Sequence, residues 1–136
     1  MPPLTKDRNT KRTLIDRTFP APVAADTIIF QGAQVARNRD GFAVPAADEP
    51  GFVVLGRAER QVDNRGGLDG ERVIPVARGV FLWDNAPADG IDQLDLGMEA
   101  FVVDDHVVGK LAATAEGIVA GIVDQVTEDG IWVATL

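Results

Sequence analysis

The chain's single histidine, His106, directly follows Asp104 and Asp105. Two carboxylates and an imidazole are the ligand types of a metal site or the partners of a general base. The three are consecutive between apolar runs, so they read as a turn in which alternate side chains point apart, and the expectation is a solvated turn without a shared ion. A second set, Asp63, Asn64, Asp69 and Glu71, lies in and just after the glycine-rich stretch Asp63-Asn-Arg-Gly-Gly-Leu-Asp-Gly70, where oxygen ligands could suit calcium. That stretch lacks the alternating-oxygen spacing of an EF-hand loop, and its glycines do not repeat as in calcium-binding β-rolls. The 136 residues contain no cysteine and no serine, which excludes serine or cysteine nucleophiles, disulfides and sulfur-ligated metals. P-loop and Rossmann fingerprints are absent as well. The sequence therefore predicts no catalytic residue, no cofactor and no metal site.

Lys110 sits at a turn in Val108-Gly-Lys-Leu111, which does not reproduce the acidic residue, lysine and small residue of a lipoyl carrier motif. Nucleic-acid binding would need a basic face with stacking aromatics. The six Phe and two Trp lie mostly in apolar runs, and there is no Tyr.

Val and Ile number 25 against 9 Leu, with 14 Gly and 8 Pro cutting the chain into short pieces. β-branched side chains suit a pleated sheet, and Gly and Pro punctuate it, so the fold class is mainly β, a small barrel or sandwich. Strands are expected at Thr27–Phe30, Ala33–Ala36, Phe42–Val44, Phe52–Ala58, Met98–Val103 and Val107–Val108. A closing hairpin runs from Ile118–Val126 through Glu128-Asp-Gly130 to Ile131–Thr135. Arg72–Trp83 reads as one long strand with both faces apolar, hence buried on both sides, bent at Pro75, Arg78 and Gly79. Only Lys110–Glu116 suggests a helical turn. No apolar leader and no run of about 18 apolar residues occurs, so the expectation is a soluble protein made in the cytoplasm, with no membrane partner.

The net charge of −8 hides an asymmetry. Up to Thr18 the chain carries five basic residues (Lys6, Arg8, Lys11, Arg12, Arg17) and two acidic ones, net +3, and the rest carries −11. Residues 1–22 fit neither a helical nor a strand face, and prolines at 2, 3, 20 and 22 favour an extended chain. They read as an extended basic N-terminal arm on a β-rich domain of residues 23–136. The acidic body would repel phosphates, so no direct nucleic-acid contact is expected, and a protein surface is the partner such an arm suits. Leu4, Leu14, Ile15 and Phe19 are its apolar anchors, with Arg8, Lys11, Arg12 and Arg17 as steering charges. Ordering it costs about 1–2 kcal/mol per residue, which apolar burial must offset.

The series Gly32-Ala-Gln-Val35, Arg39-Asp-Gly-Phe42, Gly56-Arg-Ala58, Asp63-Asn64, Gly70-Glu71, Val76-Ala-Arg-Gly-Val-Phe-Leu-Trp83 and Gly97-Met-Glu-Ala-Phe-Val-Val-Asp-Asp105, closed by Ala120-Gly-Ile-Val123 and Gly130-Ile-Trp-Val133, resembles the capsid decoration, or cement, proteins of tailed bacteriophages. The likeness covers most of residues 30–136. It implies a barrel-like domain on the outer face of the virion's capsid, commonly a homotrimer, that reinforces contacts between subunits of the major capsid protein without catalysis. The arm lies outside it. Two other expectations stay open: a small metal-dependent β-barrel enzyme using Asp63, Asp69 or the Asp104-Asp105-His106 group, and another virion part such as a tail-tube or head-completion subunit.

Overall fold

The structure is a computed structural model that describes residues 3, 5–9 and 17–136. The first half of the chain forms β1 (Thr18–Pro22), β2 (Ile28–Ile29), β3 (Gln34–Arg37), β4 (Ala43–Pro45), β5 (Val53–Ala58), β6 (Val62–Asp63) and β7 (Val73–Ala77). The second half forms β8 (Gly79–Asn85), β9 (Glu99–Val102), β10 (Val107–Gly109), β11 (Val119–Thr127) and β12 (Gly130–Thr135), with single 3-10 turns at Gln93–Asp95 and Leu111–Ala113. The chain is mainly β. No helix among the described residues is long and apolar enough to cross a membrane.

Five strands make an antiparallel sheet in the order β1-β7-β5-β3-β4, and five close into a barrel, β10-β8-β12-β11-β9, while β2 and β6 form a small ribbon. In the barrel only the β8–β10 pair is parallel. Alternation decides what each face buries, because successive strand residues point to opposite sides. Phe81, Trp83, Val102, Val108, Val123, Ile131 and Val133 fill the barrel, and Ala36 and Ala77 from the sheet pack against them. The other face of the sheet covers a second core of Val23, Ile29, Val35, Ile74 and Val76, with Phe19 and Leu55 packed at its margin.

The stretch expected as one long strand is two. β7 belongs to the sheet and β8 to the barrel, and they meet at Arg78. Nor is β8 buried on both faces. Odd positions Phe81 and Trp83 point into the barrel, which leaves Val80 (44% exposed) and Leu82 (39%) on its outside. Their apolar character supplied the misleading signal.

A second difference lies at the arm's end. Residues 18–22, read as its last extended stretch, pair with β7 from Thr18↔Ala77 to Pro22↔Val73. Pro20 and Pro22 are tolerated because β1 is an edge strand, where a missing N–H can face solvent. The remaining expected strands are present within a few residues, and the helical stretch at 110–116 shrinks to the turn at Leu111–Ala113.

Candidate functional site

The β9–β10 turn carries Asp104, Asp105 and His106. Asp104 Oδ1 accepts the backbone N–H groups of His106 and Val107, each at 2.9 Å, which is the local bonding that makes Asp favourable in turns. The same fold-back overturns the expectation that the three side chains diverge: His106 Nδ1 lies 3.0 Å from Asp104 Oδ1 and 3.0 Å from Asp105 Oδ1. One ligand atom from each residue falls within 4.8 Å of the others, the one such set among the described residues. The hydrogen bond to Asp105, reinforced by the negative charge of Asp104, holds the imidazole pKa above its ordinary value, so His106 favours the charged form. A cation would have to displace the Nδ1 proton from between the two carboxylates. The side chains are 61%, 46% and 36% exposed for His106, Asp104 and Asp105, so water screens whatever they do. The Gln34 N–H donates to the Asp105 carbonyl at 2.8 Å and ties the turn to β3. Beside it a hollow of about 250 Å³ is floored by Phe30, Gln31 and Gly32.

The acids of the 63–71 loop do not converge. Asp63 is gripped by the Arg65 guanidinium at 2.7 and 2.9 Å, which lowers its pKa to about 2. Asp69 Oδ1 accepts the Ala25 N–H at 2.7 Å, and Glu71 Oε2 accepts the Leu68 N–H at 3.0 Å. Asn64 is buried and its amide donates to the carbonyls of Ala24 (2.9 Å) and Leu68 (3.0 Å), while Gly67 packs directly on its Oδ1. Asp69 and Asn64 lock the loop onto the start of the body, while Asp63 and Glu71 bond within the loop itself. Asn64 and Ala24, whose carbonyl it binds, are 40 residues apart in sequence, so no local pattern could have exposed the clamp.

Of the arm residues, Arg8 is exposed, and Arg17 and Phe19 are half-buried. Leu4, Lys11, Arg12, Leu14 and Ile15 lie outside the described residues. Phe19 packs on the second core of the body: it sits opposite Val76, and the guanidinium groups of Arg17 and Arg78 stand 5.3 and 5.0 Å from its ring centre. Cation–π attraction of this kind needs the guanidinium over the ring face. Arg57 makes a similar contact with Phe81 at 4.5 Å. Sequence reasoning missed both, since Arg78 and Arg57 were read only as a strand irregularity and a strand residue.

Close to this arm root lies the outer face of the barrel. Cross-strand register places Val80 beside Ala134 and Ala134 beside Ile122, with Leu82 beside Trp132 in the next row. Ile122 is 44% exposed, so the rows form one apolar surface with Arg17 and Arg78 at one end and Asp84 and Asp105 at the other. Such a surface on an otherwise charged body can bury area against a protein and offers no group for covalent chemistry. No family model, no curated protein and no solved structure matches the chain.

Proposed function

We propose that the chain is a virion structural protein that binds the outer surface of a tailed-phage capsid and stabilises contacts between major capsid protein subunits, as a homotrimer and without catalysis or cofactor. The observation that carries this reading is the apolar outer face Val80, Leu82, Ile122, Trp132 and Ala134, adjoining a cationic arm root on an acidic body. Apolar rows provide contact area, and the basic arm steers toward an acidic lattice. Repetition over a lattice multiplies weak contacts into firm attachment. The resemblance in residues 30–136 points the same way. In this reading the arm engages the shell through Leu4, Arg8, Lys11, Arg12, Leu14 and Ile15, with Arg17 and Phe19 at its root.

The test is co-sedimentation of the purified protein with mature heads of the virus that encodes it, followed by heating. Binding near the copy number of the capsid protein, with raised resistance of the heads to heat, supports the proposal. Failure to bind, or a few copies per particle as for a connector or tube subunit, sinks it.

The convergence of Asp104, Asp105 and His106 favours one second reading, a metal-dependent β-barrel enzyme. Elemental analysis separates the two, because that reading requires stoichiometric metal and a melting temperature that falls with chelator.

A further inference from the structure

Charge is divided unevenly between the two halves of the fold. Residues 79–136, which form the barrel, carry eleven acidic residues against a single lysine, Lys110, and no arginine, net −10, while residues 1–78 carry net +2. Lys110 is itself held close: its Nζ lies 3.4 Å from Asp92 Oδ2 and 3.7 Å from Asp95 Oδ2. It thereby braces the loop that leads into β9, and the loop is fixed at further points. Asp92 Oδ1 accepts the Leu94 N–H and Asp95 Oδ2 accepts the Asp92 N–H, both at 2.9 Å, a reciprocal cap on the turn Gln93–Asp95. Gln93 Nε2 donates to the Val126 carbonyl at 3.1 Å. The Gly97 N–H donates to the Val123 carbonyl, and the Val123 N–H donates to the Met98 carbonyl, both at 2.9 Å. All this bonding holds a turn that buries none of its own residues. Leu94 is 91% exposed, Met98 61% and Leu96 45%. A single exposed leucine is ordinary, but three apolar side chains within five residues of a pinned loop are a surface already ordered for a partner. Such order spares much of the entropic cost of binding.

We propose that Leu94, flanked by Leu96 and Met98, is a second docking point: an apolar knob that enters an apolar socket rimmed by lysine or arginine on the major capsid protein. Charge complementarity sets the chemistry of the socket. Asp89, Asp92, Asp95 and Glu99 bracket the knob, and Lys110 is the sole lysine or arginine in this half of the chain. An acidic rim would be repelled by that group, whereas a basic rim gains both attraction and a faster encounter. The basic arm has the opposite sign and suits a different, acidic surface. Two attachments of opposite sign let one chain hold two neighbouring capsid subunits, which is how a bound protein can reinforce the contact between them. The inference rests on the capsid attachment proposed above and identifies the part of the barrel that makes it.

Leu94 is almost wholly exposed, so replacing it leaves the fold intact. Full-length variants are compared with the unmodified protein in co-sedimentation with mature heads of the virus that encodes it. Leu94→Ala should weaken binding at least about tenfold, and Leu94→Met, which keeps the apolar volume, should stay within about twofold. Glu99→Gln should weaken binding and make it less sensitive to added salt. Sedimentation and melting of the free Leu94→Ala protein should match those of the unmodified chain. Heads that bind Leu94→Ala as tightly as the unmodified protein would overturn the knob while leaving capsid attachment standing. Heads that bind neither would overturn both. Loss of the free protein's oligomer on Leu94→Ala would overturn the capsid socket and put a second copy of the chain in its place.

Discussion

Asp48, in the loop between β4 and β5, reaches 67 residues along the chain to accept the backbone N–H of Ala115 at 2.6 Å, and its other oxygen accepts the N–H of Glu116 at 2.8 Å. The first partner lies in the segment that leads into β11, so one carboxylate ties the sheet to the barrel. Both bonds are charge-assisted, which roughly doubles their strength over neutral ones. Asp48→Ala should therefore cost about 1–2 kcal/mol, read as a lower denaturant midpoint. Asp48→Asn keeps one acceptor and should lose less.

Close backbone approach sets a second expectation. Gly121, at φ +154°, lies against the Ala134 carbonyl of the neighbouring strand, so an added Cβ meets backbone that cannot yield. Gly32, at φ +85°, has nothing within 4 Å of that position. Gly32→Ala should cost about 1 kcal/mol from conformation alone, whereas Gly121→Ala adds a collision and should cost at least about 2 kcal/mol. Equal losses in denaturant unfolding would mean that strand approach is not what requires Gly121.

Gln34 is fully buried, and its side-chain oxygen and nitrogen find no hydrogen-bond partner among the described residues. It shares its sheet face with Ala36, toward the barrel core. Leaving such a group unpaired costs about 1–3 kcal/mol. Gln34→Met keeps the shape without the polar atoms, so thermal unfolding should shift upward by the equivalent of about 1 kcal/mol or more. A loss of stability would show that the carboxamide has a partner in solution.

For His106, the folded-state pKa is raised, chiefly by the Asp105 hydrogen bond. Its small contribution to stability is then fully present below the unfolded value near 6.5 and is lost as pH rises through the higher folded value. An NMR titration of the imidazole should give a midpoint above 6.5, and Asp105→Asn should bring it back down. A midpoint that ignores Asp105→Asn would mean the contact is not formed in solution.

Much of the β architecture was legible in the sequence, because Val and Ile runs between Gly and Asp turns encode strands by local sterics. The hairpin at Glu128-Asp-Gly130 is the clearest instance. What stayed hidden depends on contacts between distant segments. Nothing near Val62–Asp63 marks it as a strand, since Ile28–Ile29 supplies its partner. The parallel step from β10 to β8 needs the barrel to be closed first. The site was less legible still. Consecutive Asp104, Asp105 and His106 read as diverging, because only the capping of two backbone amides by Asp104 turns them together.

The arm's boundary follows from β1 and can be cut at two places. Removing residues 2–12 takes away Arg8, Lys11 and Arg12 but leaves Arg17 on Phe19 and the whole of β1. The truncated protein should stay folded with an unfolding midpoint close to that of the full chain, and lose binding to heads at least about tenfold. Removing residues 2–22 also strips Phe19 and Ala21 from the second core and exposes the edge of β7. Burial of an aromatic side chain contributes about 1.5–3 kcal/mol, so this cut should destabilise the body by at least about 3 kcal/mol once the lost strand pairing is added. If the shorter truncation binds heads as well as the full chain, the basic tip has no part in attachment, and the apolar surfaces of the barrel must supply it alone.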